Sequence, residues 1–148
     1  MLLSLPDDPL FLALDQFLGV EKARLLEVAA RTKNGTTKVS LTIYSPEGLT
    51  LEGLAHLHKL LLPKLEELLN TEDLYVEVGT PGLERNLKYD FELELFQGRP
   101  IQILRDGDSE WLSGTLSEAK DASLMLETEK GSVQITKKEI RKARLNDL

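Results

Sequence analysis

The chain has 148 residues, enough for one ordinary domain or two very small ones. Hydrophobic residues make up 41% of it, which is adequate for a packed core, and the absence of cysteine excludes disulfides, thiol nucleophiles and cysteine-based zinc sites. The net charge of -7 argues against a free-standing nucleic-acid binder, because neutralising phosphates requires clustered Lys and Arg.

The start of the chain is apolar enough to suggest a signal peptide. It lacks a basic leader, however, and Pro6–Pro9 interrupts it. No stretch of the sequence approaches the length of a membrane span. Together with the absence of cysteine, this pattern predicts a cytoplasmic protein that does not associate with membranes.

The first predicted element is a helix over Asp8–Leu18. Asp8 can cap it, Pro9 suits its first turn and Gly19 suits its end. The next segment, Glu21–Arg31, is ambiguous, since its Glu, Lys, Ala, Arg and Leu residues favour a helix.

A turn signal follows this ambiguous segment at Lys33–Thr36, and a strand with alternating apolar residues follows the turn. We therefore predict a hairpin in which Arg24–Arg31 pairs with Lys38–Tyr44, although helix propensity argues against it.

A long helix is predicted from Thr50, as its cap, to about Leu69. Its leucines recur at helical spacing, which indicates a core face; a coiled-coil seam is the alternative. Pro63 lies inside this pattern and frees the carbonyl of Lys59, so we expect the helix to kink or restart there. A short strand, Leu74–Val78, follows.

From about residue 90 the helical spacing gives way to short strands separated by tight turns, a pattern typical of a small closed barrel. The predicted strands are Pro100–Arg105, Glu110–Ala119, Ala122–Thr128 and Ser132–Thr136. We predict an α+β protein with a boundary near residue 90. Residues 1–90 would form an α/β domain, a small sheet with two helices, and residues 91–148 a small β-barrel domain.

No catalytic motif is present, and we expect neither enzymatic activity nor a cofactor. His56 and His58 lie about 200° apart around the predicted helix, so they cannot easily bind one metal ion. His56 does share a helical face with Glu52. An enzyme with an unrecognised site therefore remains an alternative, which a deep pocket lined by Glu52, His56 and further carboxylates would support.

The most unusual segment is Tyr75–Lys88, which reads YVEVGTPGLERNLK. It predicts a strand end and a tight turn in which Gly82 adopts a positive φ. One interpretation is a rigid loop that presents Arg85 and Lys88 to an anionic partner. In the other, Arg85 pairs with a nearby carboxylate such as Glu77 and merely holds the loop.

A basic run lies near the end of the chain. Its cations are Lys137, Lys138, Arg141, Lys142 and Arg144, with only Glu139 among them. Such a run is either a solvated surface or a local contact with RNA or an acidic protein patch.

The unusual segment resembles the signature of the RimP family of ribosome maturation factors, approximately Leu-Glu-Val-Ser-Ser-Pro-Gly-Leu-Asp-Arg-Pro-Leu. The residues that match are Glu77, Val78, Pro81, Gly82, Leu83, Arg85 and Leu87. Gly79 and Asn86 stand where the family has Ser and Pro. The resemblance extends in order to Gly48–Leu51, Gln97–Arg99 and Ile140–Leu145.

This resemblance implies an N-terminal α/β domain and a C-terminal SH3-like or Sm-like barrel. It also implies binding to the free small ribosomal subunit during its maturation, with ribosomal RNA and a ribosomal protein near the decoding site as partners. We accordingly expect a monomeric ribosome maturation factor that does not bind DNA.

The predicted ribosome-binding residues are Pro81, Gly82, Arg85 and Lys88, with Lys137, Lys138, Arg141 and Lys142 as a second contact. The alternative is a generic RNA-binding module. The aromatic content of 5% leaves few side chains for stacking on bases, which counts against sequence-specific binding of single strands.

Overall fold

A computed structural model describes residues 2–3 and 6–147. The chain divides into two compact units, each with its own sheet. One unit is Asp7–Pro81, and the other contains the residues before Asp7 and those from Gly82 onward. The division lies earlier than residue 90 because the segment after Gly82 hydrogen-bonds to the C-terminal sheet. That each unit folds by itself stays a prediction.

The N-terminal unit is a three-stranded sheet with two long helices. Its elements are α1 (Pro9–Gly19), β1 (Arg24–Lys33), β2 (Thr36–Tyr44), α2 (Leu51–Leu69) and β3 (Leu74–Gly79). The strand order is β1-β2-β3; β1 and β2 are antiparallel, and β2 and β3 are parallel. The helix α2 therefore forms the crossover that a parallel pair requires.

The hairpin that the sequence predicts is confirmed. Arg24 pairs with Tyr44 and Arg31 with Lys38, the two ends of the predicted register. At the turn Asn34 has a φ of 54° and Gly35 a φ of 84°, the two positive values of a tight two-residue hairpin turn. Strand pairing and the burial of apolar residues in β1 thus outweigh the helix propensity of this segment.

Both long helices begin where their caps predict. The Asp8 carboxylate accepts a hydrogen bond from the Leu10 N–H at 3.1 Å, and the Thr50 hydroxyl accepts one from the Gly53 N–H at 3.0 Å. The helix α2 continues as one element through Pro63, so it does not restart there, and the kink stays a prediction. Its buried face packs in the N-terminal core as predicted and consists of Leu57, Leu61 and Leu65.

The C-terminal unit is rich in strands. Its elements are α3 (Phe91–Leu95), β4 (Pro100–Arg105), β5 (Leu112–Ala119), β6 (Ser123–Thr128), β7 (Gly131–Thr136) and β8 (Ile140–Leu145), with a 3-10 turn at Lys137–Glu139. All neighbours in the order β7-β6-β5-β4-β8 are antiparallel. This arrangement is compatible with the predicted SH3-like barrel and confirms the α+β class.

The sequence predicts four of these strands and misses β8. Ile140, Ala143 and Leu145 are its buried residues, so the inward positions do not alternate regularly. The cause is a bulge opposite the step from Leu104 to Arg105, which inserts one extra residue into β8.

Candidate interaction site

The segment Leu83–Leu87, the centre of the unusual motif, lies along the outer edge of β8. The Leu87 N–H donates to the Ala143 carbonyl at 2.8 Å, and the Leu145 N–H donates to the Arg85 carbonyl at 2.9 Å. The segment therefore covers the edge of the C-terminal sheet. The segment contains Arg85 of the first predicted contact, and β8 contains Arg141 and Lys142 of the second. The two predicted contacts therefore meet in part.

Arg85 is held in a buried ion pair. Its Nε lies 2.7 Å from Oε1 of Glu92, and the two side chains are 8% and 0% exposed. The other oxygen, Oε2, accepts hydrogen bonds from the Lys88 N–H at 2.8 Å and the Tyr89 N–H at 2.9 Å. The sequence suggested that Arg85 could pair with a nearby carboxylate such as Glu77. Arg85 does pair with a carboxylate, but that carboxylate belongs to Glu92.

Lys88 is exposed, and its backbone is held from two directions. Glu92 binds its N–H, while its carbonyl accepts a hydrogen bond from the Leu3 N–H at 2.9 Å. Its Nζ lies 5.4 Å from the centroid of the Tyr89 ring, which stacks on Phe91. The ammonium group therefore stands on a fixed backbone.

Lys88 follows the residues that contact β8. Asn86 forms an isolated bridge with Arg144, and the Leu87 N–H donates to the Ala143 carbonyl. Lys88 and Lys142 are both exposed. The edge of β8 and the residue that follows its covering segment are therefore cationic.

A groove of about 370 Å³ lies at this edge of β8. It is lined by Leu2, Asn86, Leu87, Arg141, Lys142 and Ala143. Arg141 is exposed at the bulge of β8. Two predicted cations, Arg141 and Lys142, thus line the groove, and Lys88 follows its lining residue Leu87 in the chain.

Lys137 and Lys138 lie elsewhere. They belong to the 3-10 turn before β8, where the Lys137 N–H donates to the Ala122 carbonyl at 2.9 Å. They precede β8, whereas Arg141 and Lys142 lie within it. The groove lining includes Arg141 and Lys142 but neither Lys137 nor Lys138.

Pro81 and Gly82 lie on either side of the division between the two units. The positive φ expected at Gly82 is wrong. The Arg85 N–H donates to the Gly82 carbonyl at 3.1 Å, which makes Gly82 the first residue of a four-residue turn. The φ angle of that position does not determine the type of turn.

Two further residues make contacts in this unit that the sequence did not indicate, Glu92 and Trp111. The guanidinium of Arg144 lies 4.1 Å from the centroid of the Trp111 ring, and its Nε donates to Gln102 Oε1 at 2.7 Å. Arg144 is therefore engaged within the protein. Trp111 has no marked signal in the sequence, and the only signal for Glu92 was its position just after the motif.

The histidines of α2 have separate partners. His56 Nε2 lies 3.6 Å from Glu21 Oε2, and His58 Nε2 lies 3.0 Å from the Val76 carbonyl oxygen. Among the described residues no three His, Asp or Glu side chains come together as metal ligands. A hydrogen bond with Glu118 raises the pKa of Lys120, an exposed residue of the barrel.

Within residues 2–3 and 6–147, no helix is long and apolar enough to cross a membrane.

Comparison with known proteins agrees with this architecture. Residues 14–84 match the model of the RimP N-terminal domain. The chain is 30% identical over 129 residues to the ribosome maturation factor RimP of Borrelia hermsii, an alignment that covers 87% of this chain and 86% of that protein.

Two further proteins with the same name are also similar. That of Borrelia garinii subsp. bavariensis is 34% identical over 78% of this chain and 77% of its own length. That of Borreliella burgdorferi is 28% identical over 94% of each chain.

The fold and the site define a small α+β protein with a helix-covered sheet, a strand-rich second unit and a cationic groove at the edge of β8. The chain belongs to the RimP family of ribosome maturation factors.

Proposed function

We propose that this protein is a ribosome maturation factor that binds the free small ribosomal subunit, or its assembly intermediates, and assists maturation without catalysis. Its membership of the RimP family supports this role. The partners would be ribosomal RNA and a ribosomal protein near the decoding site. The protein would act as a monomer in the cytoplasm.

The observation that carries the proposal is the groove at the edge of β8, which Arg141 and Lys142 line. An RNA phosphate in this groove would accept charge-assisted hydrogen bonds from the two cations. Lys88, which follows the lining residue Leu87 in the chain, would add a third cation. Lys137 and Lys138 would make a separate contact beyond the other end of the strand.

Arg85 would serve this surface indirectly. Its side chain is almost fully buried against Glu92, and the same carboxylate holds the backbone of Lys88. Arg85 would therefore keep the Gly82–Leu87 segment on the edge of β8, while Lys88 meets the partner.

Such a factor would act by differential affinity, binding an immature conformation of the subunit more tightly than the mature one. The acidic remainder of the chain, with its net charge of -7, would limit nonspecific binding to RNA. It would also attract a basic ribosomal protein.

Sucrose-gradient fractionation of a cell lysate tests this proposal. We expect the protein to co-migrate with free small subunits and not with complete ribosomes. Equal association with both fractions would contradict the proposal. Binding to naked RNA as tight as binding to the subunit would favour the alternative of a generic RNA-binding module.

A further inference from the structure

The second surface of interest is the face of the N-terminal sheet that points away from its buried core. On β2 the residues Val39, Leu41 and Ile43 are buried. Lys38, Ser40 and Thr42, which alternate with them, point to the opposite face, where the side chain of Lys38 is 56% exposed. On β3, Tyr75 is 57% exposed. This face is open to solvent.

The charge of the hairpin differs from that of the chain as a whole. Residues 28–46 contain Arg31, Lys33 and Lys38 and no Asp or Glu, although the net charge of the protein is -7. The hairpin turn and both adjoining strand ends, residues 29–36, are exposed throughout. The cations therefore lie on a projecting, accessible hairpin.

Three residues form a row across the open face. Arg31 pairs with Lys38 in the register of β1 and β2, and Lys38 pairs with Tyr75 in the register of β2 and β3. Neighbouring strands lie about 4.8 Å apart, so the row spans about 10 Å. Beside it is a recess of about 270 Å³ lined by Ala29, Arg31, Lys38 and Ser40.

The row is available to a ligand. Arg31 makes no side-chain hydrogen bond or ion pair to any residue that the structure describes. Lys38 Nζ lies 3.4 Å from Glu77 Oε1, but both side chains are about half exposed, and such surface pairs contribute little. A phosphate could therefore displace the carboxylate of Glu77 from Lys38.

We propose that the row Arg31–Lys38–Tyr75 binds single-stranded RNA. Arg31 and Lys38 contact the phosphates, and the exposed ring of Tyr75 stacks on a base. The small side chains of Ala29 and Ser40 leave room for the RNA in the recess beside Arg31 and Lys38. This surface lies on the N-terminal unit. The inference rests on the proposed function in one respect: the proposed function identifies the RNA as ribosomal RNA.

The test measures the fluorescence anisotropy of a labelled poly(A) oligonucleotide titrated with the full-length protein at low salt. The parent protein carries Lys88→Glu and Lys142→Glu, so that these two lysines of the C-terminal unit do not contribute. We expect Tyr75→Ala to weaken binding about fivefold or more and Tyr75→Phe to change it less than about twofold, since Phe retains the stacking ring.

Adding Arg31→Glu and Lys38→Glu to the parent should weaken binding by at least about tenfold. Lys59→Glu is the matched control, because Lys59 is an exposed lysine of the same unit on α2, and it should change binding less than about twofold. An equal loss with Lys59→Glu would mean that net charge alone matters, and it would overturn the inference.

The inference also fails if the parent does not bind the oligonucleotide, or if it binds an RNA duplex equally well and Tyr75→Ala has no effect. Either result would favour an acidic protein over single-stranded RNA as the partner of this face. Because the assay contains no subunits, its result is independent of the gradient experiment that tests the proposed function.

Discussion

Arg85 and Glu92 form an almost fully buried ion pair, with 2.7 Å between Nε and Oε1. The Glu92 carboxylate also accepts the backbone N–H groups of Lys88 and Tyr89. One carboxylate thus connects the RimP-like motif to the first turn of α3.

Removing one partner of this pair should be strongly destabilising. Arg85→Ala leaves the Glu92 carboxylate buried without its cation, and we expect the free energy of unfolding to fall by about 3–5 kcal/mol. Urea denaturation measures it. Arg105→Ala is the matched control: its pair with Asp108 is about one-third exposed, and it should cost about 1 kcal/mol or less. Similar losses for both variants would contradict the structural role of Arg85.

Two glycines should respond differently to substitution. A Cβ at Gly114 would lie 2.6 Å from the Glu127 carbonyl oxygen on the neighbouring strand, whereas a Cβ at Gly82 would meet no atom within 4 Å. We expect Gly114→Ala to destabilise the barrel by about 1–3 kcal/mol, since backbone must move. Gly82→Ala should change stability by less than about 0.5 kcal/mol. Thermal denaturation distinguishes the two, and a larger loss at Gly82 would be inconsistent with this geometry.

Pro63 should limit the stability of α2. The helix passes through it, although proline cannot donate the hydrogen bond to the Lys59 carbonyl. We expect Pro63→Ala to raise the free energy of unfolding by about 1–2 kcal/mol. The restored hydrogen bond should stabilise the folded state by more than the greater conformational entropy of alanine stabilises the unfolded chain. Chemical denaturation measures it, with Lys59→Ala as a near-neutral control. A decrease in stability for Pro63→Ala would show that the proline makes packing contacts that compensate for its cost.

Much of the fold could be predicted from the sequence because local signals agree with tertiary structure. Asp8 and Thr50 cap helices, and the Asn34–Gly35 turn sets the hairpin register. The strand β8 could not be found, because a bulge breaks its alternation and basic residues occupy its outward positions. Bulges depend on the partner strand and leave no fixed spacing in one sequence.

The candidate site was predictable only in part. Lys88 and Lys142 were singled out as cations, but the contact of residues 85–87 with β8 depends on the pairing of segments far apart in the chain. Glu92 carries no motif of its own, and its burial beside Arg85 emerges only after folding. Lys137 lies in the 3-10 turn before β8 and Lys142 lies in β8 itself, a difference that the run of basic residues does not indicate.

The central claim is that Lys142 on β8 and the nearby Lys88 bind the free small subunit, and a binding titration tests it most directly. Purified small subunits are titrated with the labelled wild-type protein, with the Lys88→Glu/Lys142→Glu variant and with Lys130→Glu, an exposed lysine of the same unit. We expect the double variant to bind about tenfold or more weakly, to keep its melting temperature, and to show a smaller salt dependence. Lys130→Glu should bind like the wild type. Wild-type affinity of the double variant, at unchanged salt dependence, would contradict the claim.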